Sequence, residues 1–311
     1  MKYEHQKKQK LLMKKDIPLY LMALPGILVL IAFSYVPMAG MIVAFKDYHY
    51  KGGIFGSEWA DPLFKNFTFF FNNMENALRA TRNTVGLNIL FFIFETIFAV
   101  AAAVMLSEIR NKRFIRGCQS VMFFPYFISW MVTGAILNAL LSSDVGWLSK
   151  FLQKAGINFD FYSSPEAWVI ILVVVVVWHG TGYTSVIYYG ALTGIDTSIY
   201  EAARVDGATK WQQITKITLP LLRPTITIMF LLSVGKMLKG NLNMMIGLTN
   251  LNPLLLPVTD VIDVFVYRSS VKNGEMAYAS AVSLYQSVLS FLLVLLSNKL
   301  AKWYDKDTSL F

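Results

Sequence analysis

The sequence predicts an all-α integral membrane protein that crosses the bilayer six times. Three observations carry that reading. Apolar residues make up 55% of the chain, charged residues only 15%, and the mean hydropathy is +0.50, whereas a soluble domain is about a quarter charged. Six stretches, 19–45, 84–106, 118–141, 167–192, 224–246 and 277–298, are apolar over the roughly 20 residues that a helix needs to cross hydrocarbon. Lysine and arginine are also unevenly shared between successive connections, with seventeen on one side and nine on the other. That bias orients spans, with the richer side in the cytoplasm.

Residues 1–18 form a basic tail with six lysines in the first fifteen positions. It either lies helically against anionic headgroups or is disordered. The first span is too long for a signal-peptide core, and no small-residue cleavage site follows it. Residues 19–83 comprise this span and an outer loop with turn signals at Gly52-Gly53 and Asp61-Pro62. Residues 84–298 form a five-span core, and 299–311 a second cytoplasmic tail. Connections 107–117 and 193–223 are basic and belong inside, as do both termini. The opposite loops carry Asn252-Pro253 and Asn273-Gly274, and 261–270 is expected as a short helix lying on the outer surface.

The net charge of +9 is therefore an orienting charge, with no basic, aromatic-interleaved face for nucleic acid. A lone Cys118 excludes an intramolecular disulfide, and His5, His49 and His179 are too scattered for local metal-ligand spacing. No metal site is expected.

The inner connection 193–223 holds the most specific pattern. It reads Glu201-Ala202-Ala203, three residues, Gly207, nine residues, then Ile217-Thr218-Leu219-Pro220. Ser198 is the expected N-cap, with Glu201 three positions on as its capping-box partner. Ala202 and Ala203 leave a smooth surface, Gly207 permits a turn, and a second helical stretch from Lys210 is expected to end at Pro220. Physically this is a rigid exposed helix-turn-helix, equally suited to docking or to plain linkage.

At every signature position it resembles the EAA loop of binding-protein-dependent ABC importer permeases. Leu24-Pro25-Gly26, Tyr35-Val36-Pro37-Met38, Ala44-Phe45-Lys46-Asp47-Tyr48 and Phe123-Phe124-Pro125-Tyr126 are similar to the oligosaccharide branch of that family. So is the run from Asp260-Val261-Ile262-Asp263 through Val266-Tyr267-Arg268 to Asn273-Gly274. The resemblance implies the type I importer permease fold in a bacterial plasma membrane. It implies a sugar as solute, taken inward by alternating access. It also implies a second homologous permease, two cytoplasmic ATPase subunits, and an extracellular solute-binding protein expected to be lipid-anchored. Glu201, Ala202, Ala203, Gly207, Ile217, Leu219 and Pro220 would then dock on the ATPase. The chain has no Gly-x-x-x-x-Gly-Lys-[Ser/Thr] loop, so ATP and Mg are expected on the partner and no cofactor on this chain.

Ionisable groups inside a span cost a few kcal/mol and face a cavity or a partner. Glu95 sits midway along the second span, and Lys236, Lys239, Asn241 and Asn243 crowd the fifth around Gly240. Lys236, Lys239 and Asn243 are spaced to share one helical face. They either line a solute pathway, or the lysines pair with Glu95 or with an acid of the partner permease. Trp178 and Tyr183, flanking His179, Gly180 and Gly182, are the second candidate lining. Aromatic faces suit sugar rings, but also interfaces and packing. His179 reads as a hydrogen-bonded interior residue. A membrane enzyme would need acid, base or metal ligands at one depth, and none is apparent. A tether or sensor would not need the polar fifth span.

Overall fold

The computed structural model describes residues 17–72, 74–272 and 274–304. Both tails of the sequence reading fall largely outside that range, as does Asn273. Five helices are long and apolar enough to cross a membrane, and a bent pair makes the sixth crossing when taken as one span. They are α1 (Ile17–Phe45), α2 (Met74–Ser107), the pair α3 (Lys112–Phe123) and α4 (Trp130–Leu141), α5 (Pro165–Thr193), α7 (Lys210–Val234) and α10 (Met276–Tyr304). Between them lie α6 (Thr197–Val205), α8 (Leu242–Thr249) and α9 (Ile262–Tyr267). A two-residue ladder, Lys46–Asp47 against Glu58–Trp59, is the sheet among the described residues.

The core forms where α2 runs along α5. Near the 193–223 loop, Ala99, Ala103, Tyr188 and Leu222 are buried together. At the other end, Leu87, Trp168 and Leu172 pack with Met244, Met245 and Leu248 of α8. Most of α1 stands clear of the bundle with its apolar side chains outward. Only its last turns pack on α10, as suits a helix whose solvent is lipid.

Three expectations need correction. First, the third span is not one helix. Pro125 opens a 3-10 turn, Ile128 and Ser129 are extended, and the two halves meet at 94°. Ser129 then caps α4 by accepting from the Val132 N–H. Second, the fifth span stops at Val234 rather than running to 246, and it begins at Lys210. A π turn, Ile214–Thr218, precedes Pro220, which occupies the first turn of the helical segment Leu219–Val234. In that π turn the Leu219 N–H reaches back five residues to the Ile214 carbonyl, and this local widening accommodates a residue without an N–H, so Pro220 continues the helix instead of ending it. Third, the helix expected on the outer surface is buried: Val261, Ile262 and Val264 expose 1%, 3% and 0% of their surface.

Breaking a span frees backbone groups that lipid cannot satisfy. Side chains from other spans take them up. His179 Nε2 lies 3.0 Å from the Ile128 carbonyl at the first break. At the second, Asn88 Nδ2 donates to the carbonyls of Met237 and Lys239, both at 3.0 Å. There too, Gln286 donates to Leu238 O and Asp263 accepts from the Gly240 N–H.

The half-helices α4 and α8 touch backbone to backbone. A Cβ on Gly134 would land on the Gly247 carbonyl, and one on Gly182 would land on the carbonyl of Met122. Backbone cannot step aside as a flexible side chain can, and overpacking costs about 1–3 kcal/mol or more. Gly134→Val is therefore expected to cut the yield of folded, monodisperse complex severalfold in size-exclusion chromatography. Gly190→Ala, where a Cβ meets open space, serves as the neutral control. Equal yields would show that the contact yields.

Candidate functional site

The break after α7 opens onto a cavity of about 640 Å³. Thr84, Asn88, Phe91 and Glu95 of α2 form one wall, and Lys236, the segment 239–245 and Trp130 form the other. Lys236, Lys239, Asn241, Asn243 and Glu95 all line it. The five residues are brought together, but not on one helical face, because the helix ends before the first of them. Lys236 and Lys239 belong to the turns that follow Val234, Asn241 is the N-cap of α8, and Asn243 is in its first turn. Asn241 Oδ1 accepts from the Met244 N–H at 3.0 Å, which satisfies a donor that the helix leaves free. Its alanine variant would therefore mix loss of a cap with loss of a cavity group.

Glu95 does not pair with either lysine. Its Oε1 accepts from Thr184 Oγ1 at 2.6 Å, and its carboxylate packs where a Cβ on Gly180 would stand. Trp178 is elsewhere: it lines an outward apolar groove with Leu90, Phe94 and Val174. Tyr183 stacks on Tyr126, with ring centroids 4.8 Å apart. Neither lines the cavity. The aromatics that do are Phe91 and Trp130, the latter stacked at 4.1 Å on His179. No local pattern singled out Trp130 or Asn88, because both depend on where the two breaks fall.

The 193–223 loop is built differently from its expected capping. Asp196, not Ser198, caps α6 by accepting from the Ser198 N–H at 2.9 Å. That donated bond holds the Asp196 carboxyl below the usual carboxylate range. The capping box falls one helix later, between Thr209 and Gln212. Gly207 has φ +78°, with Ala208 N–H donating to Ala203 O at 2.8 Å, a left-handed helix end that glycine adopts at low cost.

Glu201 and Ala202 are exposed and Ala203 is half-buried. Val205 and Trp211 are 88% and 72% exposed and add apolar surface that the motif did not mark. Ile217 and Pro220 are half-buried in the helix behind, and Leu219 stands at its exposed edge. Tyr200 and Thr218 hydroxyls meet at 3.1 Å, and Lys210 pairs with Glu108 at 2.5 Å. The first contact ties α6 to α7, and the second ties α7 to the residue that follows α2.

Residues 95–308 match the family described as "Binding-protein-dependent transport system inner membrane component". Protein LplB of Bacillus subtilis is 32% identical over 95% of this chain and 92% of its own length. The polygalacturonan/rhamnogalacturonan transport system permease protein YteP of the same organism is 31% identical over 98% and 94%. Among solved structures, a chain of a bacterial alginate ABC transporter, crystallised with its alginate pentasaccharide-bound periplasmic protein, superposes with a TM-score of 0.83. It is 30% identical and covers 94% of this chain and 97% of that one. The chain belongs to the family of inner-membrane permease components of binding-protein-dependent transport systems.

Proposed function

We propose that this chain is one of two permease subunits in an ATP-driven importer of oligosaccharides, with the cavity at the α7–α8 break as part of the solute pathway. The observation that supports it best is the placement of five polar groups and Trp130 around one cavity, inside a chain whose full-length relatives include a polysaccharide permease. Amides and ammonium groups hydrogen-bond a polar solute, and the indole face suits a sugar ring. A half-helix beginning at the cavity is a recurrent way for transporters to present donors to cargo.

Coupling follows from α7. It is 25 residues long, so it reaches about 37 Å from the 193–223 loop to the cavity. A cytoplasmic ATPase that moves α6 would move α7 through the Tyr200–Thr218 contact. The stroke would arrive at Lys236–Asn241. On this reading the loop and both termini are cytoplasmic, ATP and Mg belong to the two ATPase subunits, and an extracellular binding protein delivers the sugar. Uptake of a labelled glycan panel by cells with and without the gene tests it. Loss of accumulation of at least one glycan is expected. Identical uptake of every glycan in both strains would reject it.

A further inference from the structure

We infer that the solute is an acidic glycan, one whose sugar units carry carboxylates, and that Lys236 and Lys239 are its counter-charges; this rests on the sugar-import reading above.

Both lysines are exposed and line the cavity. Among the described residues neither forms an ion pair or a side-chain hydrogen bond. The acid that the sequence offered as a partner is at the other end. Asn88 is bonded to the carbonyls of Met237 and Lys239 and so marks the depth of the lysines. Glu95 lies seven residues further along the same helix, about 10 Å away, and is held by Thr184. Asp263, the acid nearest the break, is turned to the Gly240 N–H and to Gln286. The lysine end of the cavity therefore has two like charges three residues apart, neither in an ion pair among the described residues, with Asp263 behind the segment rather than in the cavity lining. A carboxylate entering the cavity can pair with both ammonium groups.

The neutral groups beside them have the same bias. Asn241 spends its side-chain oxygen on the Met244 N–H, which leaves its NH₂ as the free end. The first turn of α8 adds the positive end of a helix. Lysine has donors only, and a carboxylate has acceptors only. A neutral sugar hydroxyl uses acceptors as well as donors, and the two lysines supply none. A uronate supplies what the donors lack, with the Trp130 face beside it for the ring.

The test uses the assembled complex, with its partner permease, ATPases and binding protein, in proteoliposomes. The probes are tri- and tetragalacturonate and their methyl esters, which keep the backbone and remove the charge. The acid forms are expected to accumulate well above the esters. The Lys236→Gln/Lys239→Gln double variant should assemble normally and lose acid uptake by roughly tenfold or more. Lys236→Arg/Lys239→Arg should retain most of it. Equal transport of esters, or unchanged acid uptake by the Gln variant, overturns the inference. So does failure of the Gln variant to assemble, because the lysines would then be ion-pair partners of the second permease. Uptake of a neutral glycan that ignores both variants leaves the sugar reading standing and removes this one. If no glycan of either kind accumulates, both fall.

Discussion

Glu201→Lys is expected to abolish solute-stimulated ATP hydrolysis by the assembled transporter while leaving the chain inserted and folded. Glu201 is exposed on α6 and makes no ion pair among the described residues, so reversing its charge disturbs little inside this chain. Any large effect would then lie at a surface that meets another subunit, which on the reading proposed above is the ATPase. Gly207 separates two explanations. A Cβ there meets no atom within 4 Å, yet φ is +78°, so a side chain adds backbone strain of about 1 kcal/mol and no clash within the chain. Gly207→Asn tolerates the left-handed turn, whereas Gly207→Val does not. If Asn retains stimulation and Val loses it, the turn itself is required. If both lose it, the ATPase approaches too closely for any Cβ. Normal stimulation in Glu201→Lys and Gly207→Val together would reduce the loop to a linker. The readout is hydrolysis by the reconstituted complex with and without solute-loaded binding protein.

Asp260→Leu is expected to have the largest effect on stability. Asp260 is fully buried and accepts from Arg268 at 2.6 Å and Arg79 at 3.2 Å, with those side chains 26% and 31% exposed. Its backbone carbonyl accepts from Asn83, and the Ile262 N–H just beyond donates to Thr84 Oγ1. The segment that starts α9 is thus pinned to α2. Val261 is pressed against Gly240 in the cavity wall. Removing the carboxylate strands two guanidinium groups. For a buried pair that costs about 3–5 kcal/mol, and the partial exposure of both arginines puts the expectation at the lower end. The melting temperature of the detergent-solubilised complex should fall by several degrees. A melting curve that superposes on the parent's would mean that the arginines find water and the pair contributes nothing. An Arg79→Met/Asp260→Leu/Arg268→Met variant, which leaves no stranded charge, should recover part of the loss.

Hydropathy was enough to find α1, α2, α5 and α10, because lipid selects apolar length and little else. It placed the start of α2 a full ten residues late. Met74 to Asn83 carries Glu75, Arg79 and Arg82, and that stretch is helical because Ala77 and Ala80 pack against α9 and α10. The breaks were harder to read. Residues 128 and 129 sit in an apolar run, and nothing local distinguishes an extended Ile-Ser from a helical one until His179 is known to take the freed carbonyl. In the fifth span the apolar residues of α8 continue the hydropathy of α7, so one window fused two helices. The polar residues that seemed to interrupt a span mark the place where it ends. The 193–223 loop was legible as a motif because its spacing is local. The cavity was legible only as residue types, since its shape depends on where α7 stops.

The stitching of the second break by Asn88, Gln286 and Asp263 has a kinetic consequence. These three side chains come from two different spans and from α9, so the segment between α7 and α8 cannot drift gradually. Releasing the buried Leu238 carbonyl from Gln286 leaves it without a partner away from water, at a cost of a few kcal/mol until it is recaptured. A partly released segment is worse than one fully held or fully transferred. A displacement along α7 too small to break all three contacts is then expected to be reversed by those that remain.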